Sequence, residues 1–204
     1  MDNTEQAWIA NSARIIRGML DGRSVVLVGL MGSGKSTIGR KLAQVIDLEF
    51  FDSDTEIENA SRMSVKDLFA VYGEPEFRAL EQRVMLRLME DGPRIISTGG
   101  GAFINPEVRE AVLKGGIAVW LDADIDVLME RVGRRETRPL LNNDDPEATM
   151  RNLMETRYPT YAEAQIRVMS RNERKDIMVG EVIEALRLYL EKHPTAASQV
   201  AVAG

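Results

Sequence analysis

Residues 24–36 read SVVLVGLMGSGKS, and this stretch decides the fold of the chain. Its first half is a continuous apolar run rich in β-branched residues, which is typical of a strand covered on both faces in a parallel sheet. Its second half, Gly29 to Ser36, fits the pattern G-x-x-x-x-G-K-[ST]. In that pattern backbone amides cradle phosphates, Lys35 reaches the β and γ phosphates, and the hydroxyl of Ser36 coordinates Mg²⁺. A glycine-rich turn with an incidental lysine is disfavoured between a strand and a helical pattern, so we predict nucleotide binding.

The rest of the chain alternates short apolar runs with helical patterns. Strand-like runs follow at 48–51, 94–97, 117–121 and 166–169, and helical patterns lie at 35–46, 76–90, 106–114, 125–133, 146–163 and about 180–192. Strands that alternate with helices imply βαβ crossovers. We therefore predict a three-layer α/β fold with a five-stranded parallel sheet flanked by helices.

The composition of the chain excludes several classes of function. Cysteine is absent from the 204 residues, which excludes disulfides, thiolate metal sites and thiol nucleophiles. The net charge of −6 provides no basic field, so we expect no nucleic-acid partner. No apolar run is long enough to span a membrane, and the N-terminus lacks the pattern of a signal peptide. We expect a cytoplasmic monomer without a membrane partner, in which His193, the single histidine, is a solvated tail residue.

Two carboxylates follow the second predicted strand, in the sequence Asp52-Ser53-Asp54. Ligands bind at the carboxyl edge of open α/β sheets. Because side chains alternate along a strand, we expect Asp52 and Asp54 to point the same way. One can then hold the Mg²⁺ shell while the other accepts a proton from an attacking hydroxyl. The alternative is a cluster that caps a helix over residues 55–60.

Several further motifs follow the phosphate-binding loop in order. They are D-S-D-x-x-I-E at 52–58, F-R-x-x-E at 77–81, the triplet Gly99-Gly100-Gly101, R-P-L-L at 138–141 and R-x-P-x-Y at 157–161. Together with the loop they resemble the shikimate kinase family over about residues 25–161. The resemblance implies a P-loop kinase fold with a mobile lid, and transfer of the γ-phosphate of ATP to the 3-hydroxyl of shikimate. The products would be ADP and shikimate 3-phosphate, on the chorismate route to aromatic amino acids.

The resemblance also assigns the acceptor site. Asp54 would hold the substrate hydroxyls and is the candidate base, while Asp52 would serve the metal together with Ser36. Arg78 and Arg157 would grip the substrate carboxylate, a task for which the fork of guanidinium donors is suited. Surface salt bridges would be the ordinary alternative for either arginine. The triplet Gly99, Gly100 and Gly101 would bring backbone against the substrate where a side chain would block it.

The nucleotide site and lid are assigned in the same way. The predicted ATP contacts are Gly32, Ser33, Gly34, Lys35, Ser36, Thr37, Arg131 and Arg138. Residues 133–145 include three arginines and an Asn-Asn-Asp-Asp stretch, too polar to pack as core, so we expect a mobile lid. By resemblance Arg138 closes over the phosphates and joins Lys35 and Asp54 as a catalytic residue, while Arg131 stacks on adenine.

Some segments have no counterpart in the motif pattern. Residues 1–23 are expected to form a helical extension, 24–192 a single kinase domain and 193–204 a flexible tail. The family usually carries a proline-containing adenine loop near 170–179, and the sequence SRNERKDIMV has no proline there. The adenine contacts of this segment therefore cannot be assigned.

Other functions are disfavoured by the motifs. A gluconate or nucleoside monophosphate kinase would have the same shape, but two carboxylate-directed arginines and a glycine triplet suit a small polyhydroxy acid. A GTP-binding switch requires N-K-x-D, which is absent. A non-catalytic nucleotide-binding module would have no reason to retain Lys35, Ser36, Asp52 and Asp54 together.

Overall fold

A parallel sheet forms the centre of the structure. The structure is a computed structural model that describes residues 3–133 and 145–195, without the side chains of residues 3–6 and 10. Its strands in these ranges are β1 (Ser24–Val28), β2 (Phe50–Asp52), β3 (Ile95–Ser97), β4 (Gly116–Asp122) and β5 (Ile166–Met169). The strand order is β2-β3-β1-β4-β5, and every pair is parallel. Both β1 and β4 are buried along their whole length. The predicted five-stranded parallel sheet is confirmed.

Helices cover both faces of this sheet. They are α1 (Asn3–Met19), α2 (Lys35–Ile46), α3 (Ser53–Ser61), α4 (Val65–Glu90), α5 (Pro106–Gly115), α6 (Ile125–Gly133), α7 (Pro146–Tyr161) and α8 (Lys175–Lys192), with a short 3-10 helix at Ala102–Ile104. The buried residues of α1, α2 and α8 form one apolar cluster, and those of α3 to α7 form the other. The two clusters lie on opposite faces, because consecutive β1 residues such as Val25 and Val26 belong to different clusters. The fold therefore has three layers.

The region after β2 differs from the sequence prediction. The strand ends at Asp52, and α3 begins at Ser53. The expectation that Asp52 and Asp54 share one strand face is therefore wrong, because Asp54 lies in the first turn of a helix. Asp52 is the N-cap, and its Oδ1 accepts a hydrogen bond from the backbone amide of Asp54 at 3.2 Å. The helix-capping alternative describes the backbone correctly here.

Helix α4 is longer than its pattern suggested. It begins at Val65, after the N-cap Ser64, and is kinked at Gly73, where φ is 79°. Pro75 follows the kink, and a proline inside a helix interrupts the hydrogen-bond ladder. The predicted segment 76–90 corresponds to the half after the kink, which carries Arg78 and Glu81.

Helix α1 packs against the layer formed by α2 and α8. Ile16 and Leu20 are fully buried in the cluster that these helices share. Arg17 forms an ion pair with Asp47, the residue that ends α2. The domain boundary drawn before Ser24 stays a prediction. Among the described helices, none combines the length and apolarity that a membrane span requires.

Loops at the carboxyl ends of the strands supply most of the site. The phosphate-binding loop follows β1, Ser53 and Asp54 follow β2, the glycine triplet begins two residues after β3, and Ser170 follows β5. The parallel arrangement places these four segments at one edge of the sheet.

Candidate active site

A cleft of about 650 Å³ opens at this edge. Its lining comes from the phosphate-binding loop and α2, from the β2–α3 turn, from the glycine triplet, from α6, and from the segment after β5. Of the predicted ATP and metal ligands, the described residues at the cleft are Gly32, Gly34, Lys35, Ser36, Thr37, Asp52 and Arg131. From the predicted acceptor site, Asp54, Gly99 and Gly100 line it as well.

The phosphate-binding loop has a backbone that only glycine adopts easily. Gly32 has a φ of 84°, and a Cβ there would lie 3.0 Å from Val132 Cγ2 and 3.1 Å from the carbonyl oxygen of Leu128. Gly34 has a φ of 98° and caps the N-terminus of α2. Conformation thus favours glycine at both positions, crowding adds to this at Gly32, and the amino end of α2 borders the cleft. A helix N-terminus preceded by such a loop is suited to bind an anion.

Lys35 lies folded across this loop. Its side chain is 7% exposed, and Nζ donates to the carbonyl oxygens of Gly29 and Leu30, each at 2.8 Å. Nζ also lies 3.5 Å from the hydroxyl of Ser33. The ammonium group is therefore held beside the amides that would receive phosphate oxygens.

The hydroxyl of Ser36 faces the second predicted metal ligand. Ser36 Oγ donates to Asp52 Oδ2 at 2.6 Å and lies 3.2 Å from Ser97 Oγ. These are hard oxygen donors, and Mg²⁺ commonly takes one or two protein oxygens while phosphates and water complete its shell. In the described residues no group of three or more acidic or histidine side chains forms a separate metal site. Ser36 and Asp52 fit a metal that arrives with a nucleotide.

Asp54 and Glu81 meet over the first glycine of the triplet. A Cβ placed on Gly99 would lie 2.7 Å from Asp54 Oδ1 and 2.9 Å from Glu81 Oε1. Glu81 is 2% exposed. Burial raises the pKa of its carboxyl group, although Arg78 and Arg157 act in the opposite direction. Gly99 is therefore required for space, since any side chain there would displace two carboxylates.

Arg78 lies over the last glycine of the triplet. Its Nη1 donates to Glu81 Oε2 at 2.7 Å, and its Nη2 donates to Glu74 Oε1 at 3.1 Å. Burial alone would lower the pKa of this guanidinium group, but the two carboxylates raise it above its ordinary value. A Cβ on Gly101 would lie 2.4 Å from Arg78 Nη1. The arginine is thus a fixed, charged group over bare backbone.

Arg157, on α7, contacts the middle glycine of the triplet. Its Nη1 donates to the carbonyl oxygen of Gly100 at 3.0 Å. The hydroxyl of Tyr161, one turn further along α7, donates to the same oxygen. Two guanidinium groups and the Asp54 carboxylate thus lie around three residues without side chains.

Arg131, on α6, lines the cleft. From α6 its Nη1 donates to the carbonyl oxygen of Gly32 at 3.1 Å and to Ser170 Oγ at 2.9 Å. Its Nε donates to Asn172 Oδ1 at 3.2 Å. These contacts join the phosphate-binding loop to the segment after β5, which the sequence alone could not assign. Ser170, Asn172 and Lys175 all border the cleft.

A family model described as Shikimate kinase matches residues 31–187 of the chain. The chain belongs to the shikimate kinase family. A shikimate kinase from Brucella canis is 53% identical over 194 residues, which are 95% of this chain and 97% of that protein. The structure also resembles a shikimate kinase from Acinetobacter baumannii in complex with shikimate, at a TM-score of 0.81 and 32% identity, covering 87% of this chain and 98% of the other. A shikimate kinase from Aquifex aeolicus has a TM-score of 0.71 and 34% identity, over 80% and 95% of the two chains.

Membership of the shikimate kinase family agrees with the resemblance drawn from the motifs. The lid assignment falls outside the described residues, since Arg134, Arg135 and Arg138 all lie within 134–144. Ser33 is buried inside the phosphate-binding loop and does not line the cleft. The remaining predicted site residues lie at the cleft or around the glycine triplet beside it.

Sequence reasoning gave no role to three residues that contact the glycine triplet or lie next to it. Glu81 was visible as the last letter of F-R-x-x-E, three residues after Arg78, a spacing that places both side chains on one helix face. Ser53 and Tyr161 were visible only as the middle letter of D-S-D and the last letter of R-x-P-x-Y. Their contacts join distant segments, so no local pattern could have assigned them.

Proposed function

We propose that this chain transfers the γ-phosphate of ATP to the 3-hydroxyl of shikimate, yielding shikimate 3-phosphate and ADP in the route to chorismate and the aromatic amino acids. The observation that carries the proposal is the position of Arg78, Arg157 and Asp54 around the glycine triplet, directly beside a phosphate-binding loop. Shikimate has one carboxylate and several hydroxyls. At this site the two arginines can bind the carboxylate, and Asp54 can accept hydrogen bonds from the hydroxyls. The shikimate bound to the Acinetobacter baumannii relative supports the same acceptor.

The nucleotide would bind at the loop before α2. The backbone amides of residues 32–37, at the N-terminus of α2, would donate hydrogen bonds to phosphate oxygens. Lys35 would leave the carbonyl oxygens of Gly29 and Leu30 and bind the β and γ phosphates instead. Arg131 would border the adenine ring, held in place by Ser170 and Asn172. The two contacts fix the guanidinium plane, which favours stacking on a flat ring.

The acceptor would lie over Gly99–Gly101. Arg78 and Arg157 would bind its carboxylate, because a guanidinium group offers two parallel donors to two oxygens. Asp54 would accept hydrogen bonds from the hydroxyls and orient the 3-hydroxyl toward the γ-phosphorus. Absence of side chains at the triplet lets Asp54 and Arg78 lie close to the backbone, next to the ring.

In the transfer step, the oxygen of the 3-hydroxyl forms a bond to the γ-phosphorus while the bond to the β–γ bridging oxygen breaks. Asp54 accepts the hydroxyl proton, and ADP leaves with the bridging oxygen. Lys35 stabilises the charge that develops on the phosphate oxygens, since fixed cations in a site of low polarity act more strongly than in water.

Ser36 and Asp52 would hold Mg²⁺, and the hydrogen bond between them places both oxygens at one point of the cleft. When bound with ATP, the metal would neutralise part of the charge on the phosphates. The role of Arg138 as a lid residue that closes on the phosphates rests on the sequence resemblance. The cytoplasmic location and the monomeric state also remain predictions.

A coupled assay of ADP release tests the proposal. The acceptors are shikimate, gluconate and a set of nucleoside monophosphates, each with ATP and Mg²⁺, and a reaction without acceptor is the control. We expect rapid turnover with shikimate only, with one equivalent of shikimate 3-phosphate formed per ADP. Faster turnover with gluconate or a nucleotide, or ADP release that does not depend on the acceptor, would overturn the proposed function.

A further inference from the structure

Two buried hydroxyl groups form hydrogen bonds with the backbone of the glycine triplet. The backbone amide of Gly99 donates to Ser53 Oγ at 2.8 Å. The carbonyl oxygen of Gly100 accepts from the hydroxyl of Tyr161, next to the bond that it accepts from Arg157. A loop of three glycines has no side chains that could anchor it, so such bonds to its backbone decide where it lies.

Both hydroxyl groups are sealed from water. Ser53 is fully buried, and Tyr161 is 1% exposed. The ring of Tyr161 packs near Trp120 and Tyr158, with ring centroids 6.2 Å away in each case. Burial raises the pKa of the Tyr161 hydroxyl to about 12, against the opposing charge of Arg157. The hydroxyl is therefore a proton donor throughout the neutral range.

Tyr161 also faces the charged groups of the acceptor site. Arg157, Glu81 and Arg78 are all close enough to influence its hydroxyl, and Arg157 donates to the same carbonyl oxygen of Gly100. Because Arg157 and Tyr161 share one acceptor oxygen, a change in the orientation of the Gly100 carbonyl would move the guanidinium group as well. The triplet and the carboxylate-binding arginine are thus mechanically linked.

We propose that Ser53 and Tyr161 are positioning residues of the acceptor site, which fix the backbone of Gly99–Gly101 and, through Gly100, the guanidinium group of Arg157. Neither residue needs to touch the acceptor. The inference rests on the proposed function, since it names what shapes the shikimate end of that site. Its signature is a loss in acceptor binding with no loss in nucleotide binding.

The first test compares Tyr161→Phe with Tyr158→Phe. Tyr158 is a matched control because it lies on the same helix and in the same aromatic cluster, and its hydroxyl donates to a backbone oxygen, that of Ala123 at 2.7 Å, away from the triplet. Each change keeps the ring and removes one hydrogen bond. We expect Tyr161→Phe to raise the KM for shikimate about threefold to tenfold, the range expected for one hydrogen bond, with the KM for ATP unchanged. Tyr158→Phe should leave both constants unchanged.

The second test compares Ser53→Ala with Ser24→Ala. Ser24 is also a buried serine whose Oγ accepts a backbone amide, that of Arg94 at 3.3 Å, but it lies at the start of β1, at the opposite edge of the sheet. Ser53→Ala leaves the Gly99 amide without its partner, so the KM for shikimate should rise by a similar factor. Ser24→Ala should leave it unchanged, even if the two variants lose equal thermal stability.

A double-mutant cycle tests whether Tyr161 acts through Arg157. In an Arg157→Ala background, the factor by which Tyr161→Phe weakens shikimate binding should fall toward one, because the residue that the hydroxyl positions is gone. An undiminished factor would contradict the linkage.

The outcomes separate the two claims. If the wild-type protein does not phosphorylate shikimate, the proposed function fails. If it does, but Tyr161→Phe and Ser53→Ala match their controls in the KM for shikimate, the positioning inference alone fails. Equal changes in the KM values for ATP and shikimate would also overturn it, since they would indicate general loosening of the fold. Thermal melting of all four variants identifies any that do not fold, and calorimetric binding of shikimate to the folded ones then replaces the kinetic comparison.

Discussion

The two ends of the cleft both depend on glycine, but for different physical reasons. In the phosphate-binding loop Gly32 and Gly34 have φ values of 84° and 98°, which residues with a side chain rarely adopt. In the triplet Gly101 has a φ of −101°, which any residue adopts. What a side chain would meet there is the guanidinium group of Arg78. Glycine is needed for conformation at the nucleotide end, with crowding in addition at Gly32, and for space alone at Gly101 in the acceptor end.

Under the proposed function, this difference predicts where acceptor specificity lies. The nucleotide end presents backbone amides, Lys35 and a helix N-terminus, a set that suits any nucleoside triphosphate phosphate chain. The acceptor end presents fixed side chains around bare backbone, so its selectivity depends on which side chains stand there. Changes at the two ends should therefore damage binding of different ligands.

The largest effect is expected from Lys35→Ala, at the nucleotide end. Phosphoryl transfer should fall about 10³-fold or more, because a fixed cation at the transferring phosphate is lost. Since Lys35 also bonds the loop carbonyls of Gly29 and Leu30, a modest loss of thermal stability should accompany it. Steady-state rates and thermal melting check both, with Lys114→Ala as control because Lys114 is exposed and pairs with Glu110. Near-wild-type turnover would refute the assignment of the phosphate-binding loop.

The arginines at the acceptor end should give the opposite pattern. Arg78→Ala or Arg157→Ala should weaken shikimate binding by about 2 to 5 kcal/mol, the usual result of removing one partner from a desolvated charge pair. Affinity for a non-hydrolysable ATP analogue should stay nearly constant, and calorimetry with each ligand measures both values. Arg109→Ala is the control, since Arg109 is a half-buried arginine that bonds the carbonyl oxygens of Phe103 and Ile104.

The converse result would be informative. If Arg78→Ala and Arg157→Ala weakened binding of the ATP analogue and left shikimate binding intact, the acceptor would lie elsewhere in the cleft.

The two carboxylates next to β2 should separate chemistry from metal binding. Asp54→Asn should lower turnover roughly 10²-fold, as expected for loss of a general base. Asp52→Asn should instead shift the Mg²⁺ concentration needed for activity, since Asp52 faces Ser36. Turnover measured across a range of Mg²⁺ concentrations distinguishes them. Rescue of Asp54→Asn but not of Asp52→Asn by added Mg²⁺ would reverse the two roles.

A smaller effect is expected from Gly101→Ala. The new Cβ would collide with the end of the Arg78 side chain, which can move aside, so the fold should persist. Displacement of the guanidinium group should weaken shikimate binding about tenfold while ATP binding stays unchanged. Gly18→Ala is the matched control, since a Cβ on Gly18 meets nothing within 4 Å and alanine suits a helix better than glycine. Unchanged shikimate affinity in Gly101→Ala would show that the acceptor end does not need this space.

Local patterns predicted much of the fold because its signals are contiguous. The buried run of β1, the phosphate-binding loop and the start of α2 follow one another without interruption in residues 24–46. The region after β2 was harder, since α3 is short and α4 is interrupted at Gly73 and Pro75. The helical period is broken there. In addition, Asp52 caps a helix that begins at Ser53, whereas the sequence suggested that the strand continued through Asp54.

The candidate site divides in the same way. Residues inside motifs, such as Asp54, Arg78 and Arg157, could be named from the sequence. The bond from Gly99 to Ser53 and the bond from Tyr161 to Gly100 could not, because 46 and 61 residues separate the partners. Only tertiary packing brings such pairs together, so the spacing of residues along the chain could not predict these hydrogen bonds.

The central claim, that Arg78 and Arg157 select the acceptor by its carboxylate, is tested most directly by calorimetric titration with shikimate and with its methyl ester. The ester keeps the ring and hydroxyls but removes the negative charge. Wild-type protein should bind shikimate more tightly than the ester by about 2 kcal/mol or more, and Arg157→Ala should reduce that difference sharply. Equal affinity of the wild type for both ligands, or a preference that Arg157→Ala leaves intact, would contradict the account.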